Sequence, residues 1–147
     1  MRWGAKVIET ISKGDALLAI LLRREHTYEG IQGLTPNEFS QQLIYMQRPA
    51  GHTIAPHVHN QVTRQVQYTQ EVLFLKSGKV RVDFYDERQV YVRSVVLNQG
   101  DVILLASGGH GFEMLEASEI VEVKQGPYIG DADRVQFAPV APDRVRF

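Results

Sequence analysis

Apolar residues gather in short runs rich in Val, Ile, Leu, Phe and Tyr, and no long segment repeats them at a helical period. The runs are Ala16–Leu22, Leu43–Gln47, Val72–Leu75, Val80–Tyr85, Val90–Leu97, Val102–Leu105 and Ile120–Lys124. Turn-forming residues punctuate them: Pro49-Ala50-Gly51, Ser77-Gly78, Asn98-Gln99-Gly100-Asp101, Gly108-Gly109 and Gly126-Pro127. Strands spaced this regularly predict an all-β sandwich, barrel or jelly roll. Val80, Val82 and Phe84 alternate with Arg81, Asp83 and Tyr85, so the first set is expected in the core and the second toward solvent or a second sheet layer. The best helical candidate is a single turn at Thr35-Pro36-Asn37-Glu38, capped by Thr35. Residues 1–14 are read as an added edge strand. The tail repeats a theme, Asp133-Arg134-Val135-Gln136-Phe137 and then Asp143-Arg144-Val145-Arg146-Phe147. Its alternation fits either half-exposed strands that form an arm on a partner subunit, or a loose tail.

Composition narrows the class. At 147 residues with 44% hydrophobic content and no long-period repeat, the chain is expected to form one domain, 1–147. Its core would span about 43–124, preceded by strands in 1–42 and followed by a tail, 125–147. The N-terminal stretch lacks a long apolar core and a small-residue cleavage site, and the run Ala16–Leu22 is too short to cross a bilayer. A cytoplasmic protein with no membrane role is expected. Net charge is −1 and no basic run exceeds Arg23-Arg24, so no nucleic-acid polymer is expected as partner. The absence of cysteine removes disulfides, thiolate metal ligands and thiol nucleophiles.

Three of the five histidines fall in GHTIAPHVHN, residues 51–60. His57 and His59 are two apart, so on a strand both would point to one face and offer half of a metal site. A His-x-His pair also occurs on solvated strands. Glu71 heads the apolar run that follows, where an inward carboxylate needs a partner and an outward one does not. His110 follows Gly108-Gly109 and alternates with Phe112 and Met114; alone it fits a core histidine equally well. His52 sits in the turn beside Gly51, and His26, in a polar stretch, is expected to be exposed.

Taken together these residues resemble the two motifs of the cupin superfamily. Gly51, His57, His59, Glu71 and Gly78 follow the order of the first, and Gly100-Asp101 through Gly108 and His110 that of the second. The resemblance covers roughly residues 43–124. It implies a small jelly-roll β-barrel and one divalent transition metal, Fe, Mn, Ni, Co, Cu or Zn, held by His57, His59, Glu71 and His110. The chain departs from the pattern in three places. Eleven residues separate His59 from Glu71, far more than the family usually has, so Asn60–Gln70 reads as a long loop or extended hairpin. Ala106 replaces the usual proline, with a tightened loop before His110. Met114 replaces a common asparagine.

Around such a centre, Gln47, Gln65 and Tyr68 are candidate substrate-binding residues, and Tyr68 is a speculative proton-transfer group. Alternation leaves the direction of Gln47 open. The stretch GDVILLASGGHGFEMLE with Glu122–Tyr128 resembles small cupins of bacterial surface-polysaccharide and nucleotide-sugar pathways. That likeness implies a carbohydrate or nucleotide-sugar ligand but supplies no reaction. A metal polarising a substrate hydroxyl or carbonyl would favour isomerase- or epimerase-like proton transfer, and the resemblance to cupins implies a homodimer. An Fe(II) dioxygenase of the same fold, a non-catalytic sugar-binding module and a metal-free epimerase are the alternatives.

Overall fold

A computed structural model describes residues 7–147. The first six residues of the expected N-terminal edge strand lie outside this range. The described strands are β1 (Ile8–Lys13), β2 (Ala16–Leu22), β3 (Gly30–Gly33), β4 (Ile44–Gln47), β5 (Glu71–Ser77), β6 (Lys79–Tyr85), β7 (Tyr91–Asn98), β8 (Val102–Leu105), β9 (Gly109–Met114) and β10 (Glu119–Lys124). Two short 3₁₀ turns follow, Gly130–Asp133 and Pro142–Arg144. The protein is all-β, and every strand pairing is antiparallel. No helix of the described residues is long and apolar enough to cross a membrane.

The chain divides into two compact units, one holding everything up to His26 and from Tyr68 onward, the other Thr27–Gln67. The first unit contains a five-stranded sheet in the order β1-β2-β8-β5-β10 and a three-stranded sheet in the order β7-β6-β9. Their inner faces share one core. Ile11, Leu18, Leu21, Leu73, Leu75, Ile103 and Leu105 come from the larger sheet, and Val80, Val82, Phe84, Val95 and Leu97 from the smaller. The period-2 pattern sets this up, because strict alternation puts each strand's apolar set on one side. Neither sheet closes on itself.

The expected split of β6 holds on its Val/Phe side and fails on the other. Val80, Val82 and Phe84 are buried, yet Asp83 and Tyr85 on the opposite face are only 4% exposed. The C-terminal tail covers them. Phe137 packs edge-on against the Tyr85 ring at 5.0 Å, and the Val140 amide donates to the Tyr85 hydroxyl at 2.8 Å. Farther on, the Ser94 amide donates to the Arg146 carbonyl at 2.7 Å and the Arg146 amide to the Tyr91 hydroxyl at 2.8 Å. The two Asp-Arg-Val segments are therefore not strands. The tail is a strap on the three-stranded sheet of the same chain, held through Phe137, the Val140 amide and the Arg146 backbone. Beneath it Asp83 accepts both a two-pronged contact from Arg81 and the Ser94 hydroxyl, so the buried carboxylate is fully partnered.

The second unit is a β3–β4 hairpin with the register Gly30↔Gln47 through Gly33↔Ile44, followed by extended chain. The predicted helical turn at 35–38 does not form a helix. The Phe39 amide reaches the Pro36 carbonyl at 3.1 Å, closing one turn. The Gln42 side chain then satisfies the loop from inside. Its amide donates to the Pro36 and Phe39 carbonyls, both at 2.9 Å, and its oxygen accepts from the Thr35 hydroxyl at 2.8 Å. Thr35 thus serves Gln42 and the Leu43 amide rather than a helix N-terminus. Residues 48–70 contain neither helix nor strand, so Asn60–Gln70 is a loop and not a hairpin.

Candidate functional site

Glu71 is the first residue of β5, a strand flanked on both sides by partners. It stands opposite Leu105 of β8 and Lys124 of β10. Just before it, the Gln70 amide donates to Gln125 Oε1 at 2.7 Å and the Thr69 hydroxyl to Asp133 at 2.8 Å. These bonds fix where the strand begins. Because Glu71 is two and four residues before the buried Leu73 and Leu75, its side chain leaves the sheet on the core side.

His110 belongs to β9 and stands opposite Phe84. Directly opposite residues in a ladder share a face, so His110 also projects to the core side, followed by Phe112 and Met114. The glycines before it are required by close packing. A Cβ on Gly108 would lie 2.4 Å from the Tyr85 carbonyl oxygen, and one on Gly109 would lie 2.9 Å from the Phe137 ring. Gly108 moreover adopts φ +69°, which a side chain disfavours.

From opposite sheets the two side chains meet. His110 Nε2 lies 3.1 Å from Glu71 Oε2, with the side chains 28% and 15% exposed. The Glu71 carboxyl is held below its ordinary value. The hydrogen bond from His110 is the main cause, burial opposes it, and the charges of His110, Lys124 and Arg134 add to it. Sequence reading gave no role to Lys124 or Arg134. Lys124 was within reach of it, since it ends the strand whose first partner position is Glu71.

His57 and His59 are brought together in the second unit, although no ladder orders them. Both are exposed, in extended chain, with ring centroids 5.3 Å apart and planes at 77°. His57 Nδ1 lies 3.0 Å from the Ala55 carbonyl oxygen. A carbonyl can only accept, so Nδ1 is the donor there, and in the neutral ring this leaves the lone pair on Nε2. A metal-binding imidazole is commonly held in this way by a backbone carbonyl. Within each unit, among the described residues, His, Asp and Glu side chains form pairs of candidate ligands and no group of three.

Chemically each pair carries donor types that divalent transition metals accept, two imidazoles in one unit and an imidazole with a carboxylate in the other. The other predicted residues are accessible. Gln47 ends β4 and is exposed, on the hairpin face opposite Ile44 and Met46; Gln65 is exposed, and Tyr68 is 61% exposed. His52 lies in the expected turn, its amide 3.2 Å from the Pro49 carbonyl. His26 corrects its expectation. It is only 8% exposed, because the chain turns sharply after β2, with the His26 amide on the Arg23 carbonyl at 2.9 Å.

Comparison of the chain with protein-family models, with curated proteins and with solved structures finds no match.

Proposed function

We propose that this chain is a metal-binding protein of cupin type, a jelly-roll relative that acts on a small polar molecule, a carbohydrate or nucleotide-sugar derivative. The observation that carries the reading is the Glu71–His110 contact. Two residues selected by separate motifs come from different sheets and place their ligating atoms within 3.1 Å of each other on the inner side. The adjacent His57 and His59 rings support it from the other unit. His57, His59, Glu71 and His110 would hold one divalent ion between them. Such an ion supplies Lewis acidity toward a substrate hydroxyl or carbonyl. The chain's own part is then to hydrogen-bond the sugar hydroxyls through Gln47 and Gln65 and to move a proton through the Tyr68 hydroxyl. A second copy of the chain is the expected partner, at unpaired sheet edges, since the tail segments are engaged by their own sheet.

One observation favours a second reading. His110 Nε2 and Glu71 Oε2 bond each other directly, and a carboxylate-held imidazole is also a general base without metal. The two readings separate in one experiment. Metal content of the untagged protein is measured by elemental mass spectrometry beside His57→Ala/His59→Ala and Glu71→Gln/His110→Ala. One equivalent of transition metal, lost in both variants, is the expected result. No metal in any of the three after reloading overturns the metal centre. Solvent-deuterium incorporation into a sugar that survives His57→Ala/His59→Ala but not the other variant would then establish the dyad.

A further inference from the structure

The edge strand β7 carries an arginine with no counterpart. Arg93 stands opposite Phe84 in the β6–β7 register, so its side chain leaves on the side of Val95 and Leu97, toward the space between the sheets. The ladder slips beside this pair, between Phe84 and Tyr85, and the extra residue Val92 packs against the core. Arg93 is half-buried. Its Nε is enclosed, no acceptor among the described residues reaches it, and no carboxylate among them pairs with the guanidinium. A buried charged donor without an acceptor is unfavourable, and a ligand that supplies the acceptor removes that cost.

The arginine opens onto a groove of about 540 Å³ lined also by Val7, Glu9, Arg23, Glu25, Val96 and Phe147. That volume lies in the range of small-molecule sites. The second arginine there is already engaged. Arg23 donates from Nε and Nη2 to Glu9 at 2.9 and 2.8 Å, and from Nη1 to Asp101 at 2.9 Å and the Val96 carbonyl at 2.6 Å. Glu25 pairs with Arg24 at 3.3 Å. Among the described residues of the lining, Arg93 is thus the one cation without a carboxylate, beside apolar residues, Ser94, Asn98 and carboxylates already paired.

We propose that this groove binds a small organic monocarboxylate. Its carboxylate sits on the Arg93 guanidinium, whose planar fork matches it, and its apolar body lies along Val7, Val95 and Phe147. The single charge matches the one guanidinium without a carboxylate: Arg23 is already engaged by Glu9 and Asp101, so the second charge of a dianion such as phosphate would find no cation there.

The test is a titration of the ¹⁵N-labelled full chain, followed at the Arg93 Nε–H resonance, which is identified by its loss in Arg93→Lys. Hexanoate is the probe, with hexanol and inorganic phosphate beside it. Hexanoate should shift this resonance saturably, with a Kd on the order of 1 mM. Hexanol should leave it unmoved, and phosphate should bind more weakly. Arg93→Gln, its fold verified from the dispersion of the same spectra, should weaken hexanoate roughly tenfold or more, read from the Val96 amide. No saturable shift, equal binding of hexanol, or unchanged affinity in Arg93→Gln overturns the site. Phosphate binding as tightly as hexanoate overturns the monocarboxylate assignment.

Discussion

At the scale of single residues, Asp101 and Glu71 show two uses of a carboxylate near the core. Asp101 is 1% exposed and accepts from the Arg24 amide at 3.0 Å, the Asn98 amide at 2.9 Å and the Arg23 guanidinium at 2.9 Å. It closes the β7–β8 turn and ties the end of β2 to it. Asp101→Ala strands three donors at once, and urea unfolding should register a loss of about 3–5 kcal/mol, as for other broken buried pairs. Glu71 is less enclosed and carries a pH signature. Its carboxyl titrates below the ordinary range, so the unfolded chain takes up the proton first as pH falls. The stabilisation is therefore complete above the ordinary carboxylate value and is lost as pH drops through the lower folded value. In metal-free protein, the difference in melting temperature between wild type and Glu71→Gln should shrink steadily in the window that opens at the ordinary carboxylate value and runs to lower pH. A difference that stays constant across that window would rule out the His110 contact as its source. Both carboxylates lie in the Gly-Asp and Glu-x₆-Gly spacings and were visible in the sequence. Arg93 was not, because an isolated arginine in an alternating strand looks the same whether its face is wet or enclosed.

Between elements, legibility followed the strength of the alternation. β2 and β8 match their expected limits, Ala16–Leu22 and Val102–Leu105, because each is a dense apolar run with turn signals at both ends. β3 escaped notice because four residues with glycine at each end, Gly30–Gly33, give no pattern to read. β9 was hidden by its own Gly108-Gly109 entry, which reads as a loop although the residues after it alternate. The tail misled in the other direction. The alternation is used only in part: Phe137 packs on Tyr85 and the Val140 amide donates to its hydroxyl, whereas Val135 and Phe147 stay 78% and 73% exposed. Phe137→Ala removes an aromatic edge contact and part of a half-buried side chain, and should cost about 1–2 kcal/mol in chemical denaturation. Tyr85→Phe, which keeps the ring but frees the Val140 amide, should cost about 1 kcal/mol. If Phe137→Ala instead leaves stability unchanged and dissociates a dimer in sedimentation, the tail's partner is another chain.

On the scale of the whole molecule, the four proposed ligands are divided between two units, His57 and His59 in one, Glu71 and His110 in the other. Each pair exists without the other, so neither unit alone explains why both would be needed. The shared ion proposed above has a consequence beyond the ligands. Residues 48–70 have no regular structure, and Val58, between the two histidines, is 89% exposed. Such a segment offers its backbone readily to a protease. An ion held by all four proposed ligands would restrain it. Loading with the metal that the purified protein carries should slow cleavage within 48–70, read by mass spectrometry of the fragments. It should also raise the melting temperature in proportion to the logarithm of free metal above its Kd. The decisive variant is His110→Ala, because His110 lies in a β-strand far along the chain from the cleaved segment. If one ion joins the pairs, His110→Ala abolishes the protection of 48–70 as fully as His57→Ala does. If metal still protects the segment in His110→Ala, then His57 and His59 bind it by themselves, and Glu71 and His110 are left as the metal-free dyad.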